Sequence, residues 1–160
     1  MSCRTAPTMR TPDGSVVPET IAIAEELATR HPDAGLWPQD PHARATARVL
    51  AAEMHAGFTA LRSHCPMNLR VSYTDCQPPE DVLKDLQRLE TLWAWARETT
   101  KSTTPWLCGA YSAADAFFAP VATRIATYNL PVNPEAMLYV NAHLSHPSFR
   151  RWRAMGLIDG

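Results

Sequence analysis

The run Ala116-Phe117-Phe118-Ala119-Pro120-Val121-Ala122 carries no polar side chain, and it follows directly on Ser112-Ala113-Ala114-Asp115. A serine with an acid three residues later marks a helix N-terminus. The serine oxygen accepts from the third amide, the acid reaches back to the serine amide, and two otherwise orphan donors are satisfied. A helix that is apolar on every side has no solvent face and must be surrounded by other helices. The segment therefore requires a helical bundle with this helix at its centre. Pro120 withdraws one backbone donor and is expected to kink the helix. Ser112 and Asp115 are thereby assigned to a structural capping box rather than to catalysis.

The surrounding helices are legible as stripes. Ala43, Ala47, Leu50, Met54, Phe58 and Leu61 recur every three or four residues after Asp40-Pro41, which predicts one long helix that Pro66 ends. Gly57 falls in its middle, where a bare backbone suits a close contact. A second stripe, Val82, Leu86, Leu89, Trp93 and Ala96, follows Pro78-Pro79-Glu80-Asp81. Shorter helices are expected over 134–145 and 147–155. The first thirty residues differ in kind. Asp13-Gly14 is a strong turn signal between extended runs at 5–10 and 15–17, predicting a hairpin. Residues 19–30 then place Ile21, Ala22, Ile23, Ala24 and Leu27 on a helical pattern that closes with Arg30, as the helix dipole favours. The Pro- and Gly-containing stretch 31–40 reads as a connector, docked through Leu36 and Trp37.

With 160 residues, 46% hydrophobic and 19% charged, the chain is long enough and apolar enough to bury a core. A net charge of -1 offers no field for nucleic acid or anionic lipid. No apolar run reaches bilayer-spanning length and no basic-then-apolar leader opens the sequence, so a cytoplasmic location is expected. Cys3, Cys65, Cys76 and Cys108 form no C-x-x-C pair and no zinc-ligand spacing, so free thiols and no metal are expected. Phosphate-loop, zincin, nucleophile-elbow and dinucleotide fingerprints are absent from the sequence. Arg150-Arg151-Trp152-Arg153 reads as a solvated helix face.

Ala6-Pro7-Thr8-Met9, Pro12-Asp13-Gly14 and Val16-Val17-Pro18-Glu19-Thr20-Ile21-Ala22-Ile23, in that order, resemble the second half of the thioredoxin-like domain of cytosolic glutathione transferases. Leu36-Trp37-Pro38, Ala43-Arg44-Ala45, Glu53-Met54-His55-Ala56-Gly57-Phe58, Leu61-Arg62 and Pro66-Met67-Asn68 resemble the start of the helical domain in a bacterial branch. Trp106-Leu107-Cys108-Gly109-Ala110-Tyr111-Ser112-Ala113-Ala114-Asp115-Ala116 is similar to the family's W-L-x-G-x-x-S-x-A-D-A segment. The departures are Ala6 for Val, Met9 for Leu, Thr20 for Ser, and Cys108 where an aromatic or aliphatic residue is common.

The resemblance implies a mostly α fold: a glutathione transferase C-terminal-like helical bundle bearing a remnant β-hairpin and helix. Residues 1–30 would be a partial thioredoxin-like domain, 31–40 a linker and 41–160 the helical domain. It also implies a glutathione site. The Ala6 backbone, exposed by a cis Pro7, would pair with the cysteinyl part, and Glu19 and Thr20 at a helix N-terminus would bind the γ-glutamyl end. The residues alone equally allow an ordinary trans Pro7 on an edge strand, and a Glu19-Thr20 pair that only begins a helix.

Met54, His55, Phe58, Arg62 and Trp106 would line the second-substrate pocket by the same resemblance, although Met54 and Phe58 suit any core. The family's reactive residue precedes a long helix, whereas Cys3 precedes a strand, so no catalytic residue is assigned. The implied activity is conjugation of glutathione, as substrate, to a small electrophile, or related thiol chemistry, in a homodimer with neither nucleic acid nor membrane as partner. The family's thiol-activating hydroxyl belongs to a first half that the resemblance places before Met1. An N-terminally truncated, impaired enzyme is therefore expected, with a non-catalytic truncated or split module acting in structure or association as the alternative.

Overall fold

The computed structural model describes residues 7–158, so Cys3 and Ala6 lie outside the described residues. A hairpin of β1 (Thr8–Arg10) and β2 (Val16–Pro18) leads into α1 (Thr20–Arg30) and a short 3-10 turn (Pro32–Ala34). Six helices follow: α2 (Pro41–Ala56), α3 (Thr59–His64), α4 (Glu80–Thr100), α5 (Ala113–Thr127), α6 (Pro134–Ser145) and α7 (Pro147–Ile158).

The hairpin is antiparallel, with Met9 opposite Val17. Its turn is built by Asp13, which accepts from the Thr11 hydroxyl at 2.6 Å, the Ser15 hydroxyl at 2.6 Å and the Ser15 amide at 3.0 Å. Gly14 supplies the positive φ of 88° that the turn demands. Arg30, at the far end of α1, reaches back to Asp13 at 2.6 Å and fastens hairpin to helix. The Ser15 and Thr11 hydroxyls, followed by Arg30, hold the Asp13 carboxyl well below its ordinary range.

Within the bundle α5 packs between α2 and α6, and α4 lies against α2 and α3. Phe118, Val121 and Ile125 of α5 are fully buried with Leu50 of α2, Val82 of α4 and Val140 of α6. Trp93 is locked edge-on against Phe118 and Tyr139, with ring centroids 5.6 and 4.8 Å apart. The connector docks through buried Trp37, and the Leu36 carbonyl accepts from the Ala113 amide at 2.7 Å.

The capping box closes as its sequence requires. Asp115, buried completely, accepts from the Ser112 amide at 2.9 Å and hydroxyl at 3.2 Å. Its reach is wider than a cap. It also takes the Leu107 amide at 3.2 Å and the Tyr139 hydroxyl at 2.8 Å, which ties the 101–112 loop and α6 to the start of α5. Burial pushes the carboxyl above its ordinary value against the pull of these donors. Pro120 sits inside α5 without ending it.

The single helix expected to run from Pro41 to Pro66 is instead two, and this is a correction. Gly57 turns extended at the end of α2, and Phe58 adopts a left-handed conformation with φ 58° before α3 starts. Gly57 is thus a helix end rather than a mid-helix residue. A Cβ there would stand 2.8 Å from the Glu53 carbonyl oxygen, so only glycine passes this corner without displacing backbone. The three-and-four spacing survived because Met54, Phe58 and Leu61 are all buried on either side of the break.

The four cysteines, remote in sequence, do not all remain so. Cys65, Cys76 and Cys108 are free, and Cys65 meets Cys76 side by side. Burial raises the Cys65 thiol, and burial pushes that of Cys108 up to about 12. No helix among the described residues is long and apolar enough to cross a membrane.

Two outcomes test this account of the core. Ser112→Ala should cost about 1 kcal/mol by loss of the cap. Asp115→Ala should cost roughly 3 kcal/mol, because it orphans buried donors on three segments. The double variant should cost less than the sum, as urea midpoints will read. The second concerns His143, which is fully buried with neither ring nitrogen bonded and is lowered to about 3 by burial and then by His146. Its neutral form is the folded form. Below its ordinary 6.5 the unfolded chain binds a proton that the fold refuses, so stability falls as pH drops from 6.5 towards 3. The loss is about 1.4 kcal/mol per pH unit. Asp115, raised in the fold, works in the opposite sense as pH falls. The difference between wild type and His143→Phe isolates the histidine, and equal acid slopes for the two proteins would refute the assignment.

Candidate functional site

A groove of about 430 Å³ opens where α1, α2, α3 and α5 converge. One end is formed by Thr20, the first residue of α1, beside His55 in the last turn of α2. Met54 forms part of one wall. Ala116, Phe117 and Pro120 form the other, all from one face of α5, since they stand one and four residues apart. Met67, Arg62 and Arg124 close the far end. The buried face of α5 carries Ala114, Phe118, Val121 and Ile125, so one helix divides its sides between core and groove.

Glu19 precedes α1 with φ 76° and ψ 131°, a backbone conformation that favours glycine. Its carbonyl still accepts the first helical bond, from Ile23 at 2.9 Å. Its carboxylate pairs with His55 Nε2 at 2.8 Å. The strained turn therefore directs the acid across to α2 rather than along its own helix. No other described residue outside the glycines and three loop or helix-end positions, Phe58, Lys101 and Asn129, has a positive φ.

At the other end Arg124 is held by the backbone. Its Nε donates to the Cys65 carbonyl at 2.8 Å and Nη1 to the Pro120 carbonyl at 3.4 Å. Neighbouring side chains of the same helix end fasten the segment after α3. The Tyr128 hydroxyl donates to the Pro66 carbonyl at 2.9 Å, and that of Thr127 to the Asn68 carbonyl at 3.1 Å. Tyr73 stacks on Tyr128 at 4.9 Å. This anchoring positions Met67 at the groove's end. Arg62 Nη1 donates to the His55 carbonyl at 3.2 Å. Burial, then the neighbouring Arg62 charge, lowers the Arg124 guanidinium.

The groove brings together Thr20, Met54, His55 and Arg62, and Glu19 adjoins it through His55. Phe58 is placed elsewhere, buried in the core at the α2–α3 corner. Trp106 sits in an aromatic cluster with Tyr111, Tyr139, His143 and His146, away from the groove. Pro7 is exposed just before β1, and Ala6 lies outside the described residues. Sequence reasoning missed Met67, Ala116, Phe117, Pro120 and Arg124. The one-face spacing of the last four was the available signal, masked by the apolar character of their helix.

No protein-family model matches the chain. A probable maleylacetoacetate isomerase from Caenorhabditis elegans is 41% identical over 51 residues, which is 32% of this chain and 24% of that protein. The match thus spans about a quarter of that curated relative. The structure superposes on a glutathione transferase homologue from Burkholderia gl BGR1 with bound glutathione at a TM-score of 0.67 and 24% identity, covering 95% of this chain and 72% of that one. A glutathione transferase from Methylococcus capsulatus str. Bath gives 0.66 and 21% identity, over 96% and 74% of the two chains. A glutathione transferase homologue from Sulfitobacter with bound glutathione gives 0.58 and 20%, over 94% and 82%. The fold is that of the glutathione transferases.

If the positive φ at Glu19 is strain held for the sake of the carboxylate, Glu19→Gly should stabilise the chain by about 1 kcal/mol although it deletes the contact with His55. Glu19→Gln should not. Chemical denaturation of both variants decides it, and a destabilised glycine variant would show that the pair outweighs the backbone.

Proposed function

We propose that the chain is a member of the glutathione transferase family and that it binds glutathione at the α1 end of the groove. Ala6, Pro7, Glu19 and Thr20 would hold the peptide, and a small electrophile would lie against Met54, His55, Arg62, Phe117 and Pro120. The observation that carries this reading is the strained Glu19 beside the α1 N-terminus, opening onto an apolar-walled groove. Helix N-terminal amides suit the γ-glutamyl carboxylate, and the Glu19 carboxylate suits its ammonium group. The domain reading follows: 1–30 as the glutathione-binding part, 31–40 as linker and 41–160 as the helical domain, with a homodimer as the assembly.

Conjugation by these 160 residues is expected to be weak. A thiol of unperturbed pKa about 8.5 is only a few per cent thiolate at neutral pH. Among the described residues the hydroxyl lining the groove is that of Thr20, assigned here to the γ-glutamyl end. What remains is proximity, which acts only as far as glutathione is firmly held. A second reading, a non-catalytic module for structure or association, is favoured by one feature. Among the described residues the sheet has two strands, and Val16 is exposed on the second.

Calorimetry with glutathione on wild type and Glu19→Ala separates the two readings. Binding that weakens about tenfold in the variant, as loss of a charge-assisted contact requires, supports the site. Binding untouched by the substitution removes it, and no binding favours the module. With 1-chloro-2,4-dinitrobenzene the chain should turn over little. Robust turnover lost on His55→Ala or Cys3→Ala would place activation on that residue instead.

A further inference from the structure

Two arginines, Arg62 of α3 and Arg124 of α5, line the same groove without an acid paired to either among the described residues. Arg62 and Arg124 both line it, and they are close enough for one charge to be felt by the other. Their protein partners are backbone carbonyls: His55 for Arg62, and Cys65 and Pro120 for Arg124. Among the described residues neither is within ion-pair distance of a carboxylate. Acids on α2, α4 and the α1 start have other partners: Glu19 with His55, Asp81 with His64, Glu53 with Arg88, and Asp85 with the Leu61 amide.

Unpaired like charges are normally separated or neutralised, because each raises the cost of the other. Arg124 cannot move away. It is partly buried, and its Nε and Nη1 are tethered, which leaves Nη2 with no protein acceptor among the described residues and the groove beside it. A carboxylate matches a guanidinium edge in shape and charge, and gains most where an apolar wall excludes water. Met67, Phe117 and Pro120 provide that wall.

We infer that the groove takes an electrophile with an apolar, planar body and a carboxylate, the carboxylate seated between Arg62 and Arg124 and the body against Phe117 and Met54. The assignment of this ligand as second substrate rests on the transferase reading above. For an aryl chloride the reaction would be a substitution. The glutathione sulfur bonds to the ring carbon, the C–Cl bond breaks, chloride leaves with the bonding pair, and the thiol proton passes to water.

The test uses 4-chloro-3-nitrobenzoate and its methyl ester, titrated into the full chain without glutathione and read by calorimetry. The acid should bind about tenfold more tightly than the ester, as a charge-assisted contact requires, and this preference should shrink as salt is raised. Arg62→Gln should weaken the acid about fivefold more than it weakens the ester. Arg124→Gln should do so more strongly, and Arg124→Lys should restore part of the loss. Because Arg124 also holds Cys65, the exposed Arg62 supplies the variant least coupled to folding. Equal affinities for acid and ester, no binding of either, or an Arg62→Gln chain that keeps the acid preference would overturn the inference. An arginine-dependent acid preference in a chain that does not bind glutathione would uphold the carboxylate site and refute the transferase reading alone. Glutathione binding with acid and ester indistinguishable would do the reverse.

Discussion

A single buried carboxylate determines where the central helix begins. Asp115 gathers the Ser112 amide and hydroxyl, the Leu107 amide and the Tyr139 hydroxyl around two oxygens. Taking a carboxylate out of water is costly, and only several well-placed donors offset it. Because those donors come from the loop before α5, from the cap and from α6, no one of them can shift without stranding another. The rotational phase of α5 is fixed by this arrangement. Ala116, Phe117, Pro120 and Arg124 then face the groove, and Phe118, Val121 and Ile125 face the core.

A second constraint turns the opposite wall. Had α2 continued straight through Gly57, Arg62 would lie almost two turns further along the same rod, since each turn takes about 3.6 residues. The break at Gly57 and the left-handed Phe58 send α3 off in a new direction, and Arg62 folds back to the His55 carbonyl. The corner is sealed by Phe58 itself, whose ring is buried. A residue in a conformation that disfavours a bulky side chain is held there by the packing of that side chain.

These two constraints differ in how plainly the sequence displays them. The capping box is local chemistry with a fixed spacing of three, so Ser112 and Asp115 announce the start of α5. Asp13-Gly14 and the stripe from Val82 to Ala96 are local in the same way. The corner at Gly57 is hidden because hydrophobic spacing records which residues are buried, not whether the backbone between them is continuous. Arg124 was missed for a different reason. Alone near a helix C-terminus it has an ordinary explanation in the helix dipole. Its partner carbonyl, that of Cys65, lies 59 residues away, and nothing local links them. The same holds for the contact of Cys65 with Cys76, and for the unbonded ring nitrogens of His143, which depend on the whole aromatic cluster.

The electrostatics of the groove follow from this division between local and distant. Its α1 end is partnered within the fold, since the Glu19 carboxylate meets His55 Nε2 at 2.8 Å. Its α3–α5 end is not. A ligand group that displaces His55 from Glu19 must replace an exposed side-chain contact, which is worth little in water, so entry there has a low barrier. An anion arriving at Arg62 and Arg124 finds no carboxylate to displace among the described residues and relieves a repulsion already present. The two ends thus reward opposite charges by different means, exchange at one and neutralisation at the other. Between them lie Met54, Phe117 and Pro120, with no polar side chain among the described residues to compete.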